Sequence, residues 1–403
     1  MTPAATAAAA LAVPVSDAAL NRGVRALLAG NLACGVAVMV TAGALSDLAR
    51  SLQVSVATAG QLVSAAAFTM MLGAPLLAAV FSGTDRRRLL ALALAWMAAG
   101  HALATLLDDY ALLLVVRAVT VLGAALFTPQ AAAAVTHMAR PERRGWALAT
   151  IFIGWSISAV VGVPAAAYAA EAWGWRVAFG GVAVLCAGAG LWVWRALPDG
   201  VRPPALRWAD WRALFRHPAL MALVAVTACS ATGQFTVFAY FAPYLTQVLK
   251  AGPGGLGLFF LWFGIVGLAG NLALAPLMAR VGPHRSVAML LGCMAASLAL
   301  WPLAGTLTLL LLIATPWALG CFASNSGQQA RLAGAAPAWS AASIALNSAA
   351  MYFGQAAGAG IGGAVLATAG WPPLPFAGLA WMLAAIGLSA WATPRLKAMP
   401  GHG

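Results

Sequence analysis

Apolar residues in this chain come in long runs, separated by short polar breaks. A run of about 20 apolar residues is the length a helix needs to cross the hydrocarbon core of a bilayer. Twelve such runs are present, at 24–46, 56–80, 89–107, 111–137, 146–170, 177–195, 218–247, 257–279, 287–304, 307–329, 341–368 and 375–393. Most breaks are only a few residues, which forces neighbouring helices to run antiparallel. One break is long, RALPDGVRPPALRWADWRALFRHP from Arg195 to Pro218. Pro198, Pro203, Pro204 and Pro218 prevent one helix from running through it. Trp208, Trp211, Leu214 and Phe215 fall at helical spacing, which predicts a short amphipathic helix lying on a membrane surface. The expected organisation is therefore a disordered cytoplasmic tail at 1–23, a six-helix half at 24–195, a cytoplasmic connector at 196–217, a second six-helix half at 218–394 and a tail at 395–403. The fold class is an all-α membrane protein of twelve helices in two pseudo-symmetric halves.

Composition agrees: 63% of the residues are hydrophobic, and only 8% are charged. A soluble chain of 403 residues has no need of so much apolar surface. The net charge of +13 does not point to nucleic acid, because the basic residues sit in short loops and are not interleaved with aromatics. Their distribution sets an orientation instead. One side holds Arg22, Arg25, Arg86, Arg87, Arg88, Arg140, Arg143, Arg144, Arg195, Arg202, Arg207, Arg212, Arg216, Arg280, Arg285, Arg331, Arg395 and Lys397. The other holds only Arg50, Arg176 and Lys250. Basic loops stay in the cytoplasm, so both termini are expected there, in a bacterial inner membrane. Residues 1–21 lack a basic leader region, which argues against a cleaved signal. The five cysteines, Cys34, Cys186, Cys229, Cys293 and Cys321, lie inside apolar runs without paired spacing and read as packing residues.

The halves resemble each other. Gly162 to Trp175 reads GVPAAAYAAEAWGW and Gly358 to Trp371 reads GAGIGGAVLATAGW, each at the end of the fifth helix of its half. A duplicated six-helix unit, its copies parallel about an axis along the membrane normal, is a transporter architecture.

A charge at mid-membrane costs about 2.5–3.5 kcal/mol on insertion scales, so each one needs a reason. Arg117 is the one charge placed well inside a run rather than at its end, and no Asp or Glu lies mid-run. Either it snorkels or bonds the carbonyls of a broken helix, or it faces a central cavity and takes an anionic or strongly accepting group of a substrate. Amides and aromatics supply the remaining cavity candidates: Asn31, Gln61, Gln130, Gln234, Phe235, Phe238, Tyr240, Asn325, Gln328, Asn347, Tyr352 and Gln355. Such a lining suits a moderately polar organic molecule. Each amide taken singly is more often an interhelical hydrogen bond. The sequence has no P-loop, nucleophile elbow or HExxH pattern, and its nine acidic residues leave few carriers for acid–base chemistry, so no enzyme is expected. No cofactor or metal is expected. The expected partners are a small-molecule substrate and the lipid bilayer, with protons added only by the resemblance described next, for a chain expected to act as a monomer.

Several stretches resemble a known group. AGALSDLARSLQVSVATAGQLVSAAAF, GAPLLAAVFSGTDRRRLLALAL, LLLVVRAVTVLGAALFTPQAAA, GVPAAAYAAEAWGWRVAF and GQFTVFAYFAPYLTQV are similar to successive motifs of twelve-span major facilitators of the drug:proton antiporter type, in the branch of arabinose, purine and chloramphenicol exporters. The resemblance covers about residues 24–393. It implies export of a drug-, sugar- or nucleobase-like molecule by alternating access with proton antiport. It also implies gating roles for Asp85, Arg86 and Arg87 and for Gly162 and Pro164, and places Arg117 on the branch's motif arginine. In SGTDRRR the acid of the family loop is either Asp85, or Ser82 stands in its place. The acidic residue that the branch often carries in its first span is replaced by Val38 or a neighbour. That leaves Asp47 and His137 as candidate proton carriers. An uncoupled facilitator, an importer of a small anionic metabolite and a non-transporting receptor are the alternatives.

Overall fold

Each apolar run forms a helix or a broken helix. The computed structural model describes residues 15–54, 56–203, 208–241 and 244–397. Its helices, in order, are α1 Asp17–Gly43, α2 Leu45–Ser51, α3 Val56–Val80, α4 Arg86–Ala104, α5 Tyr110–Thr120, α6 Leu122–Met138, α7 Pro141–Ile157, α8 Val163–Trp173, α9 Trp175–Ala196, α10 Trp208–Arg216, α11 Pro218–Phe238, α12 Pro253–Val281, α13 Pro283–Leu300, α14 Leu307–Ala335, α15 Ser340–Ala369 and α16 Leu374–Lys397. Successive pieces α1 and α2, α5 and α6, and α7 and α8 occupy the first, fourth and fifth expected spans, so twelve long rods stand among the described residues. Ten are long and apolar enough to cross a membrane. The other two are Arg86–Ala104, which opens on three arginines, and the glycine-rich Ser340–Ala369.

Some boundaries differ from expectation for local reasons. The first helix starts at Asp17, inside the expected tail, because Ser16 caps it by accepting from the Ala19 amide at 3.3 Å. Residues 1–14 of that tail lie outside the described residues. The fourth span breaks at Val121, and the fifth passes through a π-helical turn, Ser158–Gly162, before Pro164. The tenth runs on to Ala335, which carries Arg331 into a helix rather than a loop. The connector does form a short helix at Trp208–Arg216, but Trp211 and Leu214 are buried in protein while Phe215 is exposed. Its apolar side is thus largely used internally, rather than laid on a membrane. Arg207 of the connector lies outside the described residues.

The chain divides into two compact units. One runs up to Trp211 and includes Ala336–Ala349, and the other comprises Arg212–Ala335 and the residues from Ala350 on. In the first unit α1 packs on α7 and α9, α4 on α9 and α6, and α3 on α6. In the second, α11 packs on α16, α13 on α16 and α14, and α12 on α14. Counted as spans, the second set repeats the first with six added to each number. The 1–5 pairing has its counterpart in glycine contacts. A methyl on Gly154 would sit 2.4 Å from the Leu28 carbonyl oxygen, and one on Gly354 would sit 2.6 Å from that of Ala228. Both positions therefore need the bare backbone that lets two helices touch. The twin Gly-Trp endings are equivalent too: Gly174 and Gly370 both take positive φ, +89° and +73°. Each closes a helix in the left-handed conformation that glycine adopts without strain.

Apolar side chains also project outward along the rods, among them Phe68, Leu76, Leu92 and Val184, as surface facing lipid requires. The second unit adds an aromatic core in which Phe241 lies 5.0–5.6 Å from Phe238, Phe259, Phe263, Trp301 and Trp317. Between membrane helices such rings contribute through close van der Waals packing rather than through removal from water, because lipid tails are as apolar as they are.

Candidate functional site

In the second unit the pattern of small and polar residues on two helices opens a cleft. Thr227, Ser230 and Gln234 come from α11, and Ser324, Asn325 and Gln328 from α14, each set at one-turn spacings. Val287, Leu291 and Met351 complete it. As it stands the cleft has some 10 Å³ of room for the centre of a water molecule, which suffices for about one water. Gln328 is anchored, its Nε2 donating to the Leu223 carbonyl at 2.5 Å and its Oε1 accepting from Arg331 at 3.0 Å. Three of the expected cavity amides, Gln234, Asn325 and Gln328, are thus brought together. The lining hydroxyls Thr227, Ser230 and Ser324 were not anticipated, because single hydroxyls are common in such helices.

The other candidates lie elsewhere. The Phe235 ring lies 5.4 Å from that of Phe238 at a tilt of 56°, and Phe238 packs against the aromatic core. The Tyr240 hydroxyl donates to the Ala359 carbonyl at 2.6 Å and ties the turn that follows α11 to α15. Tyr352 and Gln355 are half-buried on α15, and Asn347 is buried on the part of α15 that belongs to the first unit. Asn31 is a clamp in the first unit, donating to the Ile151 carbonyl at 2.9 Å and accepting from the Thr128 hydroxyl at 2.9 Å. Gln61 is exposed, with the Tyr110 hydroxyl at 3.4 Å. Gln130 is fully buried, and neither its amide nitrogen nor its oxygen has a partner among the described residues. It lies about 20 Å along the span from Arg117, so it does not serve that guanidinium.

Arg117 is 2% exposed. Its Nη1 donates to the Ala37 carbonyl at 2.7 Å and its Nη2 to the Val38 carbonyl at 2.5 Å, on the last turns of α1 just before the chain breaks at Ala44. Of the two readings of this arginine, the geometry displays the one in which backbone carbonyls hold it. The Nη1 also lies 3.3 Å from Nε2 of His101. That histidine is missing from the expected site, yet a signal for it was available. His101 and Arg117 stand at similar depths on either side of the short break 105–109, so an antiparallel hairpin brings them level. A second buried arginine escaped notice because it was read as a loop residue. Arg331, 2% exposed, donates to Nδ1 of His284 at 3.1 Å, Oγ of Ser389 at 2.9 Å and Oγ1 of Thr393 at 3.4 Å, besides Gln328.

The loop between the second and third spans is knotted to the exit of the sixth. The Asp85 carboxylate caps α4 by accepting from the Arg88 amide at 3.1 Å, and it accepts from the Gly200 amide at 2.9 Å. Arg86 donates from Nη2 to the Ser82 carbonyl at 2.6 Å and from Nη1 to that of Thr84 at 2.7 Å. Arg87 donates to the Trp194 carbonyl at 2.7 Å with its guanidinium 4.6 Å from the indole centroid. Ser82 bonds its own helix, donating to the Ala79 carbonyl at 3.1 Å. Gly162 abuts Val36, and Pro164 is exposed at the start of α8. Asp47 is engaged twice, pairing with Arg50 at 2.5 Å and accepting from the Trp175 amide at 2.7 Å. His137 is half-buried beside Arg86 and Arg144.

The sequence profile of the Major Facilitator Superfamily matches residues 27–345. The chain is 28% identical over 341 residues to the uncharacterized MFS-type transporter YbcL of Bacillus subtilis, covering 82% of this chain and 85% of that one. It is 29% identical over 239 residues to a probable sugar efflux transporter of Helicobacter pylori, 59% of this chain and 60% of that one. It is 32% identical over 244 residues to the chloramphenicol resistance protein of Streptomyces lividans, 59% and 62%. Among solved structures, the human organic anion transporter MFSD10 superposes with a TM-score of 0.75 at 16% identity over 92% of this chain and 99% of that one, which speaks for the fold alone. The protein is a multi-pass membrane transporter, not an enzyme, and it belongs to the Major Facilitator Superfamily.

Proposed function

We propose that this protein exports a small, moderately polar organic molecule, drug-, sugar- or nucleobase-like, from the cytoplasm by alternating access coupled to proton antiport. The observation that carries the reading is the pair of relatives named for sugar efflux and chloramphenicol resistance. The amide- and hydroxyl-lined cleft of the second unit supports the substrate class. Gln234, Asn325 and Gln328 offer neutral donors and acceptors, and no acidic or basic residue lines the cleft. Neutral hydrogen bonds beside apolar walls favour uncharged polar ligands over ions. Both termini then face the cytoplasm of the inner membrane, as the basic loops require.

Everted membrane vesicles offer the direct test. With a proton gradient imposed, vesicles holding the protein should accumulate radiolabelled chloramphenicol or one of a panel of radiolabelled sugars, and dissipating the gradient should release it. Asn325→Leu removes a donor and an acceptor from the cleft and should weaken apparent affinity about tenfold, the equivalent of one hydrogen bond of roughly 1.4 kcal/mol. Accumulation that ignores the proton gradient would dismiss antiport. Accumulation of none of these compounds would dismiss the substrate class.

A further inference from the structure

We propose that His101 is the proton-binding group of this transporter, and that its protonation takes the Ala37 carbonyl away from Arg117. The inference rests on the antiport reading and names its carrier.

Two side chains meet at one oxygen. The Ala37 carbonyl accepts from Nη1 of Arg117 at 2.7 Å and lies 3.3 Å from Nε2 of His101. The other ring nitrogen, Nδ1, is 2.8 Å from the Met97 carbonyl. A carbonyl only accepts, so Nδ1 carries the ring proton and Nε2 of the neutral ring is bare. That bare nitrogen can accept from Nη1 of Arg117 at 3.3 Å. In this state the histidine and the arginine are compatible, and Arg117 holds the end of α1 through two adjacent carbonyls.

Adding one proton to Nε2 reverses the arrangement. The new N–H faces a guanidinium N–H, donor against donor, and two positive charges stand 3.3 Å apart in a buried site. Such a pair is expensive away from water, so one partner must withdraw. The imidazolium is fixed at its far side by Met97 and can donate to the Ala37 oxygen. Arg117 therefore gives up that oxygen. The proton balance is simple: one proton enters at Nε2, none leaves, and the Ala37 carbonyl changes donors. Because both carbonyls belong to the turns just before the break at Ala44, the change loosens α1 where the chain is already interrupted.

The surroundings of His101 leave no other group to take this part. From α5 only Arg117 acts on it. From α1 come the Ala37 carbonyl and, a turn earlier, the Cys34 thiol, which donates to the Met97 sulfur at 3.8 Å. From α9 come the Phe179 ring, 5.6 Å from the imidazole, and the buried Cys186 thiol. The one histidine of α6, His137, sits at the far end of that span beside Arg86 and Arg144. Among the described residues no carboxylate acts on the ring. Asp47, an earlier candidate, is held by Arg50 and the Trp175 amide instead.

The test needs no substrate. Full-length protein in lipid nanodiscs, with its histidines isotopically labelled at Cε1, is titrated by NMR from about pH 8 to about pH 3, and His101→Gln identifies the relevant signal. In parallel, Val38→Cys protein is reacted with a water-soluble maleimide, and its rate is read over that of the parent chain. The expected result is a titrating His101 signal and a labelling rate that, divided by the rate of a fully exposed cysteine to remove the thiolate's own pH dependence, falls about tenfold for each pH unit above the midpoint, as a protonated population set by one proton requires. The same reaction in Val38→Cys/His101→Gln protein should be slow and independent of pH. His101→Asn serves if the glutamine variant does not fold. A His101 signal that stays fixed overturns the proposal, and so does labelling that is flat with pH or keeps its response without the histidine. Should everted vesicles of His101→Gln protein still accumulate chloramphenicol under a proton gradient at the parent rate, this inference falls while the antiport reading stands.

Discussion

Arg117 and Arg331 invite comparison because they share an unusual position and differ in what holds them. Each is 2% exposed, and each donates to a histidine ring from the preceding span. Among the described residues neither takes part in an ion pair. Arg117, in the first unit, leans on the main chain: two carbonyls of α1, with its own Nε left without a partner. Arg331, in the second unit, leans on side chains from three helices: His284 of α13, Gln328 of its own α14, and Ser389 and Thr393 of α16. The difference teaches what each can do. The carbonyls of Ala37 and Val38 already carry the hydrogen bonds of their own helix, so the arginine is an additional guest that can leave. The side-chain acceptors around Arg331 have no such prior engagement with a ladder. Removing their donor leaves them stranded, and the arginine works as a bolt.

The largest expected effect separates the two directly. Arg331→Leu should destabilise the protein by about 3 kcal/mol, because the buried acceptors Gln328 and Ser389 lose their donor at roughly 1–3 kcal/mol apiece, the half-buried His284 and Thr393 lose less, and relief of the buried charge offsets only part. Arg117→Leu should cost about 1 kcal/mol or less in stability. Thermal unfolding in one detergent compares them. Equal losses would break the distinction.

A smaller effect tests the bolt one contact at a time. Ser389→Ala removes the 2.9 Å acceptor from α16 and should lower stability by about 1 kcal/mol in the parent but by almost nothing in Arg331→Leu protein. A loss that is the same in both backgrounds would mean that Ser389 acts through its own helix and not through Arg331.

Which of these features were legible in the sequence follows from how each is encoded. Helix positions are written in hydrophobicity, so each of the twelve expected runs falls on a helix or a broken helix, ten of them long and apolar enough to cross a membrane, and the repeat showed itself in Gly174 and Gly370, where positive φ demands glycine. The grouping of Gln234 with Asn325 and Gln328 needed α11 and α14 to be neighbours, which no local pattern states. Arg331 was hidden by a boundary error of a few residues, since basic residues near a helix end normally belong to a loop. Asn31 looked like a cavity amide and is a clamp, because an isolated amide carries no sign of what it will face. Asp85 had two possible alignments. The structure gives it the cap of α4, a role that the following arginines do not reveal.

The finest distinction lies in the shape of the charge. A lysine keeps the charge of an arginine but gathers its donors at one point. Ala37 and Val38 are consecutive residues whose carbonyls take separate Nη atoms of Arg117, so a single ammonium has two acceptors within a small angle. The partners of Arg331 are spread around the plane of the guanidinium, with His284 at Nε, Gln328 and Ser389 at Nη1, and Thr393 at Nη2. One ammonium cannot reach all of them. Desolvation of the lysine is common to both sites and cancels in the difference. Arg331→Lys should therefore lose more stability than Arg117→Lys, by roughly 0.5–1 kcal/mol, about the worth of one net hydrogen bond. Paired thermal melts with a few repeats resolve such a gap. If Arg117→Lys is the more damaging of the two, Arg117 uses the full geometry of its fork, and its description as a readily displaced guest on α1 is wrong.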